Sequence, residues 1–187
     1  PSTSIGHELV VDAVALGEHE RAMARRMMQG YLKLGCQPTW TCAPYQAGHR
    51  PAAGADVAWG ESNAVAFCNS VLGARTNRYG DFLDIACAIA GRAPAYGLHL
   101  PENRVARFVF DLSGAPDAFL TDPSNWPVLG SLYGRMAGDA VGVVTGVTAH
   151  PGEDQLKAFA AAAASSGAVG LFHVAGITPE APDLETA

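Results

Sequence analysis

The sequence has few charged residues and lacks the motifs that identify many enzymes and nucleic-acid-binding proteins. Only 16% of the 187 residues are charged, and the net charge of -6 argues against a nucleic-acid partner because phosphate backbones select basic surfaces. No apolar run approaches the roughly 20 residues of a membrane span, so no membrane association is expected. The first residues do not resemble a signal peptide. A dinucleotide fingerprint, a phosphate-binding loop and a serine-hydrolase elbow are all missing, so those chemistries have no support.

The four cysteines do not form a recognisable disulfide or zinc pattern. They lie at positions 36, 42, 68 and 87, too few for a disulfide framework in a chain of this length. A structural zinc site would use a closely spaced pair, which these spacings do not provide. We therefore expect reduced thiols in a cytoplasmic protein.

The order of the predicted elements indicates an α/β fold with a parallel βαβ unit at the end. Apolar residues make up 49% of the chain, enough for one domain with a substantial core. Helices are predicted over 18–34, 61–74, 81–90, 126–137 and 154–165, and strands over 104–112, 141–147 and 168–175. Glycines at 130, 134 and 138, spaced by four, predict close packing against a neighbouring element. Residues 1–100 form a mainly helical segment and residues 101–187 an α/β segment.

Both ends of the sequence indicate that the chain is part of something longer. It starts at Pro1 rather than at a methionine, and it stops at Ala187 where a new helix is predicted to begin. We therefore expect a piece of a longer polypeptide.

Two thiols within residues 39–78 are candidate ligands or nucleophiles. Cys42 lies in a turn before Pro44, where a thiol can point into a cleft, although a buried thiol with a packing role is the alternative. Cys68 lies on the apolar stripe of a predicted helix, which favours packing, yet a helix can also offer one ligand to a metal that loop cysteines share.

Polar residues surround the same helix at both ends. Glu61, Ser62 and Asn63 open it, either as a cap or as an anion site at the helix N-terminus. The segment 75–78, with sequence RTNR, follows its end. Two guanidiniums can bind a carboxylate, although solvation of the helix end explains one of them equally well.

Further candidates lie later in the chain. His99 belongs to a second polar cluster that continues through residues 102–104. His173 lies within a predicted strand, where a histidine with a purely structural role is the more common case. Ser165 and Ser166 end the alanine-rich helix just before a glycine that is expected to cap it.

Taken in order, these motifs resemble aconitase X, a divergent branch of the aconitase superfamily. The resemblance covers nearly the whole chain, and the series of motifs is specific although each alone is weak. The motifs are TCAPY at 41–45, WGESNA at 59–64, NSVLGARTNR at 69–78, GLHL at 97–100, DQLK at 154–157, ASSGA at 164–168 and FHVAGITPEA at 172–181.

The resemblance implies a hydro-lyase with an iron–sulfur cluster (2Fe-2S or 4Fe-4S) or a mononuclear iron. Bacterial members of the family dehydrate cis-3-hydroxy-L-proline to Δ1-pyrroline-2-carboxylate, and archaeal members dehydrate a phosphorylated mevalonate. The implied fold is an aconitase-like three-layer arrangement, of which this chain is a fragment. A further cysteine motif (GCPH) and a small swivelling domain with the catalytic serine base are expected outside this chain, in the same polypeptide or in a second subunit.

Carried over to this sequence, the resemblance implies a set of site residues. Cys42 is the first metal ligand, and Cys68 the second with Asn69 as its alternative. His99 and Ser62 are the catalytic candidates, His99 as proton donor to the leaving hydroxyl. The candidates for binding a small anionic hydroxy acid or imino acid are Glu61, Asn63, Arg75, Thr76, Asn77, Arg78, Ser165, Ser166 and His173.

Three alternatives to the hydroxyproline dehydratase stay open from the sequence. The first is a mevalonate 5-phosphate dehydratase, whose pocket differs by a few contacts. The second is a non-catalytic scaffold subunit of such an enzyme, which the weakly charged composition and the expected truncation would fit. The third is an iron-free enzyme that uses Cys42 as a nucleophile.

Overall fold

A computed structural model describes residues 17–80 and 82–187, and the chain divides into two compact units, 1–49 and 50–187. In the first unit, helix α1 spans Glu18–Lys33, in agreement with the predicted helix. Glu18 and Glu20 in its first turn and Lys33 in its last complement the helix dipole, and Gly35 follows with a φ of 86°. The irregular segment that the prolines predict comes next, interrupted by a short 3₁₀ turn over Pro44–Gln46.

The second unit contains the remaining helices and all the named strands of the described residues. The helices are α2 (Ser62–Ser70), α3 (Leu83–Ala90), α4 (Asp117–Thr121), α5 (Asn125–Ala137) and α6 (Glu153–Ser166). The strands are β1 (Val109–Asp111), β2 (Val143–Thr145) and β3 (His173–Val174). Two 3₁₀ turns, Gly97–His99 and Pro101–Asn103, precede β1.

The three strands form a parallel sheet in the order β1-β2-β3. Val109 pairs with Val143, and Val143 pairs with His173 on its other side. Helices α4 and α5 connect β1 to β2, and α6 connects β2 to β3. The predicted α/β class and its βαβ unit are therefore confirmed, although each strand is shorter than the sequence pattern indicated.

Helix α2 ends four residues earlier than predicted because the backbone beyond it pairs with another segment. Gly73 adopts a φ of 68°, and its carbonyl accepts a hydrogen bond from the Gly54 amide at 2.8 Å. The Arg75 amide then donates to the Ala55 carbonyl at 2.8 Å. The polar segment 75–78 is thus extended rather than helical.

Helix α3 also starts later than predicted. Its first residue is Leu83, and it ends at Gly91, whose φ of 61° suits a C-terminal glycine. Asp81, the predicted first residue, lies outside the described residues. Among the described residues, no helix combines the length and the apolar character needed to cross a membrane.

Close packing of α5 against α6 forms the centre of the core. A Cβ added at Gly130 would overlap the carbonyl of Phe159, and one at Gly134 would lie 2.5 Å from the carbonyl of Ala163. The predicted close approach is confirmed at these two glycines. At Gly138 nothing lies within 4 Å of an added Cβ, but its carbonyl accepts a hydrogen bond from the Ala168 amide at 2.6 Å, and this glycine ends the helix with a φ of 60°.

An aromatic cluster lies between these helices and the sheet. Tyr133, Phe159 and Phe172 are fully buried, with ring centroids 4.8 to 6.3 Å apart. The Tyr133 hydroxyl donates to the Gly142 carbonyl at 3.0 Å and accepts from the Gly142 amide at 2.8 Å. The cluster therefore joins α5 and α6 to the loop that leads into β2.

We predict that Gly130→Ala destabilises the protein by about 1–3 kcal/mol, because the added methyl group forces α5 away from the α6 backbone. Thermal or urea unfolding measures this change. Gly30→Ala is the matched control, since Gly30 is interior to α1 with nothing within 4 Å of an added Cβ. That variant should be neutral or more stable by up to about 1 kcal/mol. Equal effects of the two substitutions would contradict the prediction.

Candidate functional site

Arg104 is the polar centre of the second unit. It is 4% exposed, and its Nε donates to both carboxylate oxygens of Glu180, at 3.0 and 2.8 Å. Its Nη2 lies 2.6 Å from Glu180 Oε2. Nη1 donates to the Leu98 carbonyl at 2.7 Å and to Asn69 Oδ1 at 3.1 Å, and Nη2 reaches the carbonyls of Asn69 and Ala74 at 3.2 Å each. One guanidinium thus joins α2, the 97–99 turn and the C-terminal segment.

Asn69 and Thr76 belong to the same buried network. The Asn69 amide donates to the carbonyls of Thr76 at 2.9 Å and Gly170 at 2.7 Å, and its Oδ1 accepts from the Thr76 amide at 2.9 Å. The Thr76 hydroxyl accepts from the Trp59 amide at 3.1 Å. Metal binding by Asn69 would require some of these bonds to break.

The two candidate thiol ligands differ in accessibility. Cys42 is exposed in the first unit, beside a turn in which the Ala43 amide donates to the Thr41 hydroxyl at 3.0 Å. Cys68 is 0% exposed on α2, and burial raises the pKa of its thiol to about 12 although Arg104 acts in the opposite direction. Iron binds the thiolate, so Cys42 fits a metal site and Cys68 fits only if its surroundings rearrange. Within residues 17–80 and 82–187, no three His, Cys, Asp or Glu side chains are grouped to hold a metal ion.

Asn77 positions the turn that carries His99. Its amide donates to the Tyr96 carbonyl at 2.8 Å, and its Oδ1 accepts from the Leu98 amide at 2.6 Å. Gly97 has a φ of 58°, and a Cβ there would overlap Asn77 Oδ1. The turn therefore needs both the glycine and the asparagine, which places residues 76–78 beside 97–99.

His99 lies between two side chains that the sequence pattern did not single out. Its Nδ1 is 2.7 Å from Asp56 Oδ1, and its Nε2 is 2.5 Å from the Tyr79 hydroxyl. Asp56 itself is held by a backbone bridge to Arg75. Tyr79 directly follows the predicted 75–78 segment, but Asp56 is 43 residues from His99 and belongs to no motif, so only the fold reveals this group.

Two cavities lie in this part of the second unit. One of 540 Å³ is lined by Asn77, Arg78, Tyr79 and residues of the 97–99 turn, and Arg78 is exposed there. The other, of 640 Å³, is lined by Asp56, His99 and residues from α3 and the segment after it. The first cavity is lined by the Arg78 guanidinium, which can bind an anion, and also by the Asp139 carboxylate.

The residues at the start of α2 do not form a side-chain cap. Glu61 is the N-cap residue but makes no capping hydrogen bond, and the exposed Ser62 hydroxyl is 3.5 Å from Glu61 Oε1. Asn63 Oδ1 and Arg75 Nε are buried without a hydrogen-bond partner. Buried polar atoms without partners cost stability. Neither residue lines either of the two cavities, so their predicted substrate-binding roles stay predictions.

The remaining predicted residues make structural contacts. The Ser165 hydroxyl donates to the Ala161 carbonyl at 2.9 Å, and the Ser166 hydroxyl to the carbonyls of Ala162 at 2.6 Å and Ser131 at 3.0 Å. His173 is 2% exposed, with Nε2 2.7 Å from the Arg104 carbonyl. Burial lowers the pKa of His173, so the ring is neutral and donates from Nε2, while its buried Nδ1 has no partner. Their substrate-binding roles stay predictions.

We predict that Arg104→Lys destabilises the protein by about 3 kcal/mol, because an ammonium group cannot replace the guanidinium contacts and leaves buried acceptors unpaired. Urea unfolding gives the change in free energy. Arg50→Lys is the control, since Arg50 and Glu153 form an exposed pair at 2.7 Å, and its effect should stay within about 1 kcal/mol. The prediction fails if the two variants unfold alike.

We also predict that iodoacetamide labels Cys42 in the folded protein and labels Cys68 only after unfolding. The exposed thiol is accessible, whereas the Cys68 thiol is buried and that burial raises its pKa to about 12. Peptide mass spectrometry after labelling at pH 8, with and without urea, measures both sites. Native labelling of Cys68 at the rate of Cys42 would contradict the buried position.

Comparison with known proteins gives a consistent assignment along the chain. The model of the aconitase X first domain matches residues 2–102, and that of the aconitase X second domain matches residues 106–187. The chain is 49% identical to cis-3-hydroxy-L-proline dehydratase of Pseudomonas aeruginosa, over 92% of this chain and 29% of that protein. It is 47% identical to the phosphomevalonate dehydratase large subunit of Methanothermobacter thermautotrophicus, over 83% of this chain and 37% of that one.

A solved structure shows the same fold. The crystal structure of aconitase X from Thermococcus kodakaraensis, in its holo-form, superposes with a TM-score of 0.81 at 37% identity. The alignment covers 92% of this chain and 43% of that chain. The chain therefore spans less than half the length of each of these relatives.

Proposed function

The chain belongs to the aconitase X family, and we propose that it forms part of a dehydratase that converts cis-3-hydroxy-L-proline to Δ1-pyrroline-2-carboxylate. The observation that carries this proposal is the 49% identity, over 92% of the chain, to the Pseudomonas aeruginosa protein of that name. A second protein of the same name, from Hypocrea jecorina, is 47% identical over 88% of the chain.

Substrate binding is assigned to the 540 Å³ cavity. Arg78 offers a guanidinium to the substrate carboxylate, and Asn77 lines the same cavity. The interaction fixes the orientation of the carboxylate and therefore of the carbon that carries the departing hydroxyl. The buried framework of Arg104, Asn69 and Thr76 holds these two residues in place.

We further propose an iron site, either a cluster or a mononuclear iron, to which Cys42 contributes a thiolate. Such a site would supply Lewis acidity for the loss of hydroxide. Cys68 and Asn69 stay candidate ligands, but each is fully buried and Asn69 is engaged in four side-chain hydrogen bonds. The other ligands, and the base that removes the proton next to the carboxylate, are assigned to parts of the protein outside these residues.

The proposed partners follow from the relatives. Several of them are named large subunits, so the remainder of the catalytic region and a small domain would complete the site, in the same polypeptide or in a second subunit. The cysteine pattern favours a cytoplasmic location, where thiols stay reduced.

A phosphomevalonate dehydratase is the second candidate, because a large subunit of that name is 47% identical to this chain. The experiment is to purify the complete protein without oxygen and assay it separately with cis-3-hydroxy-L-proline and mevalonate 5-phosphate. We expect dehydration of the hydroxyproline, detected as the pyrroline product. Turnover of mevalonate 5-phosphate alone would establish the second candidate, and turnover of neither would remove both.

We predict that Cys42→Ser lowers both iron content and dehydratase activity by about 100-fold or more, since even residues that only support metal ligands contribute 10–100-fold. Iron analysis and initial rates measure the two effects. Cys36→Ser is the control from the same unit and should retain iron and activity. Full iron content and full activity in Cys42→Ser would overturn the assignment of Cys42.

A further inference from the structure

We propose that Tyr79 is the catalytic residue that gives a proton to the departing hydroxyl, and that His99 and Asp56 are positioning residues that supply and orient that proton. This inference rests on the dehydratase function proposed above. It changes the role expected for His99, which the sequence indicated as the direct donor.

The hydrogen bonds determine where each proton lies. Asp56 Oδ1 is 2.7 Å from His99 Nδ1, and an ionised carboxylate only accepts, so Nδ1 carries a proton. In the neutral ring, Nε2 accepts the Tyr79 hydroxyl proton across 2.5 Å. In the protonated ring, Nε2 becomes a donor to the Tyr79 oxygen. The Tyr79 proton is then free to point toward another acceptor.

Tyr79 and His99 differ in their access to the proposed substrate cavity. His99 is 6% exposed, and both of its ring nitrogens are occupied. Tyr79 instead lines the 540 Å³ cavity together with Asn77 and Arg78. His99 lines the other cavity, on the side of Asp56. A substrate whose carboxylate is held by Arg78 therefore meets the phenol and not the imidazole.

The three groups are held in place before any substrate binds. The 97–99 turn is fixed by Asn77 and by the Arg104 bond to the Leu98 carbonyl at 2.7 Å. Asp56 is fixed by its backbone bridge to Arg75. A donor that is already positioned needs little reorganisation during the reaction, which is the condition for efficient proton transfer.

The proposed proton transfer conserves atoms, electron pairs and charge. As the C–O bond breaks, its electron pair stays with the oxygen, which takes the Tyr79 proton and leaves as water. The Tyr79 oxygen takes the proton from His99 Nε2, and the ring becomes neutral with its Nδ1 proton still on the Asp56 side. The C–H electron pair forms the double bond, and that proton goes to the base outside this chain. Solvent reprotonates His99 through the cavity where Asp56 is 56% exposed.

The charges around the relay are compatible with this role. Burial raises the pKa of Tyr79, so the phenol keeps its proton at neutral pH, as a donor must. Other titratable groups on the His99 cavity come from α3 and the segment after it, and they are Asp84, Cys87 and Arg92. The charged groups on the Tyr79 cavity are Arg78 and Asp139.

The test uses the complete protein and Tyr79→Phe, which removes only the hydroxyl. We expect kcat to fall by about 10²–10⁴-fold, the usual contribution of a general acid, while KM changes by less than about threefold. Tyr31→Phe is the matched control, because it removes a phenol on α1, which lines neither cavity, and should leave kcat unchanged. Equal kcat in wild type and Tyr79→Phe overturns the proposal.

Asp56→Asn and Asp56→Glu together separate a positioning role from a merely structural one. The asparagine removes the carboxylate that accepts from His99 Nδ1, whereas the glutamate keeps a carboxylate. We expect kcat of Asp56→Asn to fall by about tenfold or more with KM within about threefold, and Asp56→Glu to recover part of that loss. An unchanged kcat in Asp56→Asn, or equal losses in the two variants, would overturn the assignment of Asp56.

The outcomes also distinguish this inference from the function on which it rests. A wild-type protein that dehydrates neither substrate removes the proposed function and the relay together. An active wild type with an equally active Tyr79→Phe removes only the relay. An active wild type with an impaired Tyr79→Phe and an unaffected Tyr31→Phe supports both.

Discussion

The buried guanidinium of Arg104 is the interaction on which the arrangement of the second unit depends. Its contacts reach the end of α2, the 97–99 turn and Glu180 near the C-terminal end of the chain. These segments lie between Asn69 and Glu180 in the sequence, and three of the six side-chain hydrogen bonds of Arg104 go to backbone carbonyls. A buried charge is costly unless all of its donors are satisfied, so the surrounding chain adopts the one arrangement that satisfies them.

Both cavities are consequences of that arrangement. The Leu98 carbonyl held by Arg104 and the Leu98 amide held by Asn77 fix the turn that carries His99. Asn69, held by the same guanidinium, binds the backbone of Thr76 and so fixes the segment that carries Asn77 and Arg78. The Arg78 guanidinium and the Tyr79 phenol are thereby placed on one cavity.

The proposed function implies a division of roles within the complete protein. The residues described here would bind and orient an anionic substrate and deliver one proton, with Cys42 contributing to an iron site. The remaining ligands and the base would come from the parts of the relatives that this chain does not cover. On α5, the apolar side chains of Val128, Leu132 and Met136 are half or more exposed. Such an apolar face is expected where another part of the complete protein packs against the helix.

The sequence by itself determined the family, the α/β class, the parallel βαβ unit and most helices, because these depend on local periodicity and on ordered motifs. It also placed Asn77, Arg78 and His99 among the candidates. Helix α2 was predicted too long because its end is set by pairing of residues 73–75 with residues 54–57, which no local pattern reveals. The partners of His99 were missed for the same reason. Asp56 and Tyr79 are 43 and 20 residues away from it, and only tertiary packing around a buried guanidinium brings such distant side chains within hydrogen-bonding distance.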